Sequence, residues 1–219
     1  MTFYIAPIVE GDTEKVCIER LLQRIWSEHL FAPIPLRVLE PSRGKRDAMI
    51  NQKHPEFLKK IEQASQKLAS KLRSDPLRRG MLLILLDAES ACPATLAPDL
   101  LGAAQMHLAN VDIACVLAKK MFENWIVAGA STLAGVSGLP DPLPVRDQFE
   151  DRSGAAWIDN QLRSVKQNRA YRKTIDAQAF VRRMDLQECR DNSPSFDKLC
   201  RDLAARLPPP PADVPATGG

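Results

Sequence analysis

Residues 81–90 read Met-Leu-Leu-Ile-Leu-Leu-Asp-Ala-Glu-Ser (MLLILLDAES). Six apolar residues in succession are too few to cross a bilayer and too uniform for a strand with one wet face. Residues 81–86 are therefore expected to form a central strand of a parallel sheet, covered on both sides. Asp87 and Glu89 follow at once, at the carboxyl end, where open α/β sheets bind their ligands. Two residues apart in an extended chain, their side chains would point to the same side.

The segments around this one alternate in kind. Residues 3–9 (FYIAPIV) form a short β-branched and aromatic run that stops at Glu10-Gly11, as a buried strand entering a tight turn would. Asp12 or Thr13 can cap a helix with apolar positions Val16, Ile18, Leu21, Leu22, Ile25 and Trp26. Residues 34–39 suit a second strand, which Pro35 places near a sheet edge. Over 56–73 the apolar residues Phe57, Leu58, Ile61, Ala64, Leu68 and Leu72 recur at helical spacing, and Pro76 would end that helix. After residue 90, the pattern predicts a helix over 95–108, a strand over 111–117 and a helix over 119–129. Strand and helix in alternation predict an α/β fold with a mostly parallel sheet.

A loop-rich stretch over 135–144 is followed by helical segments near 154–168, 176–183 and 195–206. The Pro-rich end, PPPPADVPATGG over 208–219, reads as disordered or polyproline-like. The expected division is an α/β core over 1–130, a loop and helical extension packed on it over 131–207, and the tail.

The chain has 219 residues, of which 45% are hydrophobic and 26% charged, and this composition excludes a disordered, collagen-like or membrane protein. A chain this long buries enough surface to fold without a disulfide or structural metal. Its five cysteines (Cys17, Cys92, Cys115, Cys189, Cys200) include no CxxC pair, which suggests reduced thiols in the cytoplasm. No secretory leader is evident, so a cytoplasmic protein without membrane contact is expected.

A net charge of +3 identifies no partner, but the charges are unevenly placed. Residues 43–79 carry 11 Lys and Arg against four acids, and residues 163–183 carry seven against one. Between Gly80 and Ala118 there is no Lys or Arg, only Asp87, Glu89, Asp99 and Asp112. Basic stretches around acidic strand ends suit a metal-dependent site acting on phosphate esters. Charged helix faces turned to solvent would account for either basic stretch alone. Converging carboxylates at Glu10, Asp87 and Glu89 would repel unless a divalent cation held them, and hard oxygen ligands favour Mg²⁺ or Mn²⁺. Helix capping is the structural alternative for each acid.

The segment IVEGDTEKVCIERLL, a strand followed by Glu-Gly and an acid-rich helix start, resembles the first motif of Toprim domains. In those domains a glutamate ends the first strand and an Asp-x-Asp pair ends a later, very apolar one. Glu10 matches the first, and Asp87 with Glu89 matches the pair, glutamate replacing the second aspartate and lengthening that side chain by one methylene. More narrowly, IVEGDTEKVCIERLL, AKKMFENWIVAG and YRKTID…MDLQECRDNSPSFDKL resemble the bacterial Toprim-like family called domain of unknown function 4276. That resemblance covers nearly all of residues 3–203 and implies a Toprim-like, Rossmann-like fold with helical C-terminal additions. It is related to the Toprim domains of overcoming-lysogenization-defect (OLD) nucleases. The resemblance also implies a partner ATPase of the ABC/SMC-like or AAA class and a setting in phage defence.

OLD-type nucleases use further acids after the pair, which makes Glu123 in KKMFENW a candidate metal ligand. Its alternative role is a first-turn glutamate favoured by the helix dipole. Lys119 and Lys120 would neutralise a scissile phosphate or a leaving oxygen, or else simply be solvated. Arg43, Lys45 and Arg46 in the first basic stretch, and Arg172 and Lys173 in the second, would hold backbone phosphates. Tyr171 would stack on a base or pack its ring beneath a helix. Ser193 and Ser195 read as a helix cap. The chain lacks GxxxxGK[ST], GxGxxG and a nucleophile elbow, so ATP hydrolysis, dinucleotide binding and serine esterase chemistry are not expected.

The expected activity is metal-dependent phosphodiester cleavage. Asp87 and Glu89 would ligate Mg²⁺ or Mn²⁺, and Glu10 would serve as general base or second-metal ligand. DNA, tRNA or another RNA would be the substrate, and a homo-oligomer is possible. The rivals are a catalytically inactive scaffold or nucleic-acid-binding subunit of an ATPase complex, and a mononucleotide hydrolase using the same acids.

Overall fold

The computed structural model describes residues 1–73, 77–144, 152–166 and 168–209. Strand β1 (Phe3–Val9) leads into helix α1 (Asp12–Arg24), which continues as a π-helical turn over Ile25–His29. Two short strands, β2 (Leu36–Val38) and β3 (Ser42–Arg43), precede a single helical turn α2 (Arg46–Met49) and the long helix α3 (Pro55–Leu72). Then come β4 (Arg79–Asp87), α4 (Pro93–His107), β5 (Ile113–Ala118) and α5 (Phe122–Ala128). Helices α6 (Gly154–Ser164), α7 (Lys173–Val181), α8 (Leu186–Asn192) and α9 (Pro194–Ala204) complete the described chain.

The sheet is parallel throughout, in the order β2-β1-β4-β5, with β3 pairing the far end of β1. The run that begins at Met81 lies in a central strand. Its alternation divides the core: Met81, Leu83 and Leu85 face α1, α5 and α7–α9, while Leu82, Ile84 and Leu86 face α3 and α4. Both faces are therefore dry, which is why no polar residue interrupts the run. This is the expected fold class, a mostly parallel sheet flanked by helices with helical C-terminal additions. One apolar cluster runs from Phe3 to Leu203, so α6–α9 share the core of the sheet.

Several boundaries differ from expectation. Strand β2 spans only Leu36–Val38 and lies at the sheet edge, where Pro35 needs no N–H partner. The helix expected over 119–129 begins at Phe122, because Lys119 is still bound as a strand end, its N–H donating to Ser195 Oγ at 3.2 Å. Helix α8 was not anticipated, although Asp185 caps it by accepting the Glu188 N–H at 2.9 Å. Ser193 caps α9 as expected, while Ser195 also accepts from Trp125 Nε1 at 2.9 Å. The stop assigned to Pro76 and the tail from Pro210 onward lie outside the described residues. No helix among the described residues is long and apolar enough to cross a membrane.

Candidate carboxylate centre

Because β1 and β4 run side by side with Val9 opposite Leu85, the residues that follow them meet at the same edge of the sheet. Glu10 Oε2 accepts the backbone N–H of Asp87 at 3.2 Å. Asp87 Oδ1 in turn accepts the N–H of Phe122 at 2.8 Å, so its carboxyl sits at the start of α5. Burial pushes the Asp87 carboxyl up to about 9, with Glu14, Glu10 and Glu123 adding repulsion. Burial also raises Glu10, although the Asp87 N–H and the Arg46 guanidinium pull the other way.

Glu14, in the first turn of α1, is 4% exposed, and burial lifts it to about 7 with Glu123 and Glu10 contributing. Its carboxylate folds back over Gly11. A Cβ at residue 11 would lie 2.6 Å from Glu14 Oε2, and this is what the glycine of Glu-Gly permits. Glu123, 3% exposed, comes from the first turn of α5. Its Oε1 accepts from Thr13 Oγ1 at 3.4 Å and lies 3.9 Å from Lys173 Nζ at the start of α7. Four acids from the ends of three strand–helix units thus crowd one buried place, and the second basic stretch reaches it through Lys173.

Glu89 departs from the expected geometry. The Ala88 and Glu89 N–H groups bond the Ala118 and Lys120 carbonyls at 2.9 and 2.8 Å, and the chain then turns left-handed at Glu89, with φ of 48°. Extended alternation therefore ends at Asp87, and the two side chains do not converge. Glu89 is exposed and pairs with Arg46 Nη1 at 3.4 Å. The same guanidinium donates to the carbonyls of Asp87 and Ala88, each at 3.1 Å, and straps the loop that carries both acids.

Other expected phosphate binders are also engaged. Arg43 donates to the Glu10 carbonyl at 3.1 Å and pairs with Asp12 at 3.0 Å. Lys45 is exposed just before α2. Lys120 is half-buried and contributes its carbonyl to the Glu89 turn. Arg172 pairs at 3.3 Å with Asp176, which Arg169 also holds from two nitrogens at 2.7 and 3.2 Å. The Tyr171 ring stacks on Phe180 at 6.4 Å, so it packs beneath α7 and does not stand free for a base. Its buried hydroxyl has no hydrogen-bond partner among the described residues, and burial followed by Glu123 raises the phenol.

Sequence reasoning missed Glu14, Thr13 and the support beneath Glu123. Glu14 stands four residues after Glu10, one helical turn on, and that spacing was readable. The support was not: Gly154 donates to Asn124 Oδ1 at 2.8 Å, and a Cβ there would lie 2.6 Å from the Asn124 nitrogen, a contact set by the tertiary fold.

The donor set suits a hard divalent cation, since buried carboxyls that hold protons against their ordinary values are relieved by positive charge. As they stand, no three His, Cys, Asp or Glu side chains among the described residues converge closely enough to hold a metal ion. The chemistry fits, and ligation would require side-chain movement around Asp87.

A family model described as domain of unknown function (DUF4276) matches residues 9–204. The C-terminal region of the Burkholderia pseudomallei OLD protein shares 13% identity over 94% of this chain and 98% of that chain, with a TM-score of 0.38. No curated protein matches.

Proposed function

The chain belongs to the DUF4276 family, and we propose that it is a metal-dependent, phosphodiester-cleaving nuclease of Toprim type. The observation that carries this reading is the mutual crowding of Glu10, Glu14, Asp87 and Glu123 at the carboxyl ends of β1 and β4 and the start of α5, with Asp87 driven to about 9. Glu10, Asp87 and Glu123 would hold Mg²⁺ or Mn²⁺, with Glu14 beside them, while Glu89 stays on the rim in its ion pair with Arg46. A divalent cation there would stabilise charge on the phosphate and make a bound water more acidic. Glu10, with one oxygen on the Asp87 N–H, keeps the other to take a proton from the attacking water. Lys120 and Lys173 would face the phosphate charge, and Lys45 with the open sides of Arg43 and Arg172 would steer the backbone without reading sequence.

The setting we propose is a cytoplasmic phage-defence system in which this chain is the effector subunit beside an ABC/SMC-like or AAA ATPase. The basic stretches favour DNA or RNA over a mononucleotide. A specific observation also favours the second reading, an inactive scaffold or nucleic-acid-binding subunit: Glu89 turns away, and among the described residues no three acids stand close enough to hold a metal ion as they are.

The test is cleavage of supercoiled plasmid, single-stranded DNA and total tRNA with Mg²⁺, Mn²⁺ or EDTA, with and without any partner ATPase. Wild type should cut at least one substrate only with metal, and Asp87→Ala should lose that activity by about a hundredfold or more. Equal activity of the two proteins, or none with both folded and the ATPase present, would move the assignment to the scaffold.

A further inference from the structure

Burying a polar group without a hydrogen bond costs stability, so nearly all buried polar atoms in folded proteins have a partner. Among the described residues, one buried side-chain oxygen has none, Tyr171 Oη. The rest of that side chain does not call for a hydroxyl. Its ring stacks on Phe180 with centroids 6.4 Å apart and packs against the main apolar cluster, which phenylalanine would do equally well. Nor is the residue loosely placed. The Tyr171 N–H donates to Asp159 Oδ1 at 2.7 Å, and α7 begins two residues later at Lys173.

The groups around the hydroxyl narrow the choice of acceptor. Burial raises the phenol most, and after it the charges that bear on it are those of Glu123, Cys17, Asp176 and Glu14, in that order. Both Asp176 oxygens are taken, by Arg169 and by the N–H and guanidinium of Arg172. Burial pushes Cys17 up to about 12, so it stays a thiol, and its sulfur is a weak acceptor. Glu14 turns back over Gly11. Glu123 remains, and only one of its oxygens is engaged. Oε1 accepts from Thr13 Oγ1 at 3.4 Å and lies 3.9 Å from Lys173 Nζ, while Oε2 has no partner among the described residues.

We propose that Tyr171 is a positioning residue of the carboxylate centre: its hydroxyl donates to Glu123 when a divalent cation draws the acids together, and fixes that carboxylate as a ligand. This role rests on the cation site proposed above. A carboxylate on a metal is commonly hydrogen-bonded in turn by an outer donor, which sets its orientation. Tyr171 and Lys173 would serve Glu123 together, the phenol from the buried side and the 61% exposed lysine from the solvent side. Without the ion the acids do not converge and the hydroxyl goes unsatisfied. Stability is given up in that state and recovered on binding.

The test compares wild type, Tyr171→Phe and Asp87→Asn by melting temperature without metal and by Mn²⁺ titration followed by electron paramagnetic resonance. Tyr171→Phe removes the hydroxyl and keeps the ring. Without metal it should melt about 3 °C above wild type, because a buried unsatisfied group is gone. It should nonetheless bind Mn²⁺ about tenfold more weakly. A purely structural tyrosine would move the melting temperature and leave the affinity alone. In the chain labelled with 3-fluorotyrosine, Mg²⁺ should shift the ¹⁹F resonance of Tyr171 and leave that of Tyr4, the other tyrosine, in place. Equal Mn²⁺ affinity of wild type and Tyr171→Phe, with Asp87→Asn weaker, would overturn the role of Tyr171 and leave the cation site standing. An unmoved Tyr171 resonance would do the same. A Tyr171→Phe chain that melts lower without metal would also overturn it, because the hydroxyl would then be satisfied already. No Mn²⁺ binding by wild type would overturn both the site and this role.

Discussion

Asp87 and Glu14 keep protons in the folded chain that they would release when unfolded, at about 9 and about 7 against ordinary values of 3.8 and 4.5. Between those limits the native state binds more protons than the unfolded state, so stability falls as pH rises. Without metal, the melting temperature should therefore decline steadily from about pH 5 to about pH 9. Asp87→Asn, which keeps the shape and cannot ionise, should flatten that decline and melt higher than wild type at the alkaline end; differential scanning fluorimetry reads both. A wild-type profile that rises with pH would show these carboxyls to be ionised and paired. Glu14 illustrates what a sequence leaves legible at this scale. Its place one turn after Glu10 is visible, but its burial depends on α7 crossing α1, which no local pattern encodes.

Among elements, the strands were easier to read than the loops between them. Residues 3–9 and 81–86 declared themselves because both faces are buried, so every position is apolar. The turn after β4 did not, because the left-handed residue there is a glutamate, where glycine or asparagine would have marked it. Arg46 holds this turn, and no spacing rule links it to residues 41 positions later. Its side chain is only 14% exposed and bonds two carbonyls as well as Glu89. Arg46→Ala should cost about 2 kcal/mol of stability, within the range for lost hydrogen bonds from a charged group. Chemical denaturation measures that loss; an unchanged midpoint would mean that the loop holds its shape without the strap.

At the scale of the molecule, the net charge of +3 conceals an arrangement in which acids close together at the carboxyl ends of the strands while Lys173 carries the second basic stretch to their edge. The distribution along the chain foretold this meeting. What it could not foretell is how many cations would be spent internally, as Arg46 and Arg169 are. Lys173 stays 61% exposed. Lys173→Gln should weaken binding of a labelled single-stranded oligonucleotide and lower its salt slope by about one counterion. An unaltered slope in anisotropy titrations would remove Lys173 from the interface. The claim on which the functional account rests is that Glu10, Glu14, Asp87 and Glu123 form a cation site, and Mn²⁺ titration followed by electron paramagnetic resonance tests it most directly. Wild type should deplete the free-ion signal, and Asp87→Asn should bind at least about tenfold more weakly. Equal binding by the two proteins, or no binding by wild type, would contradict it.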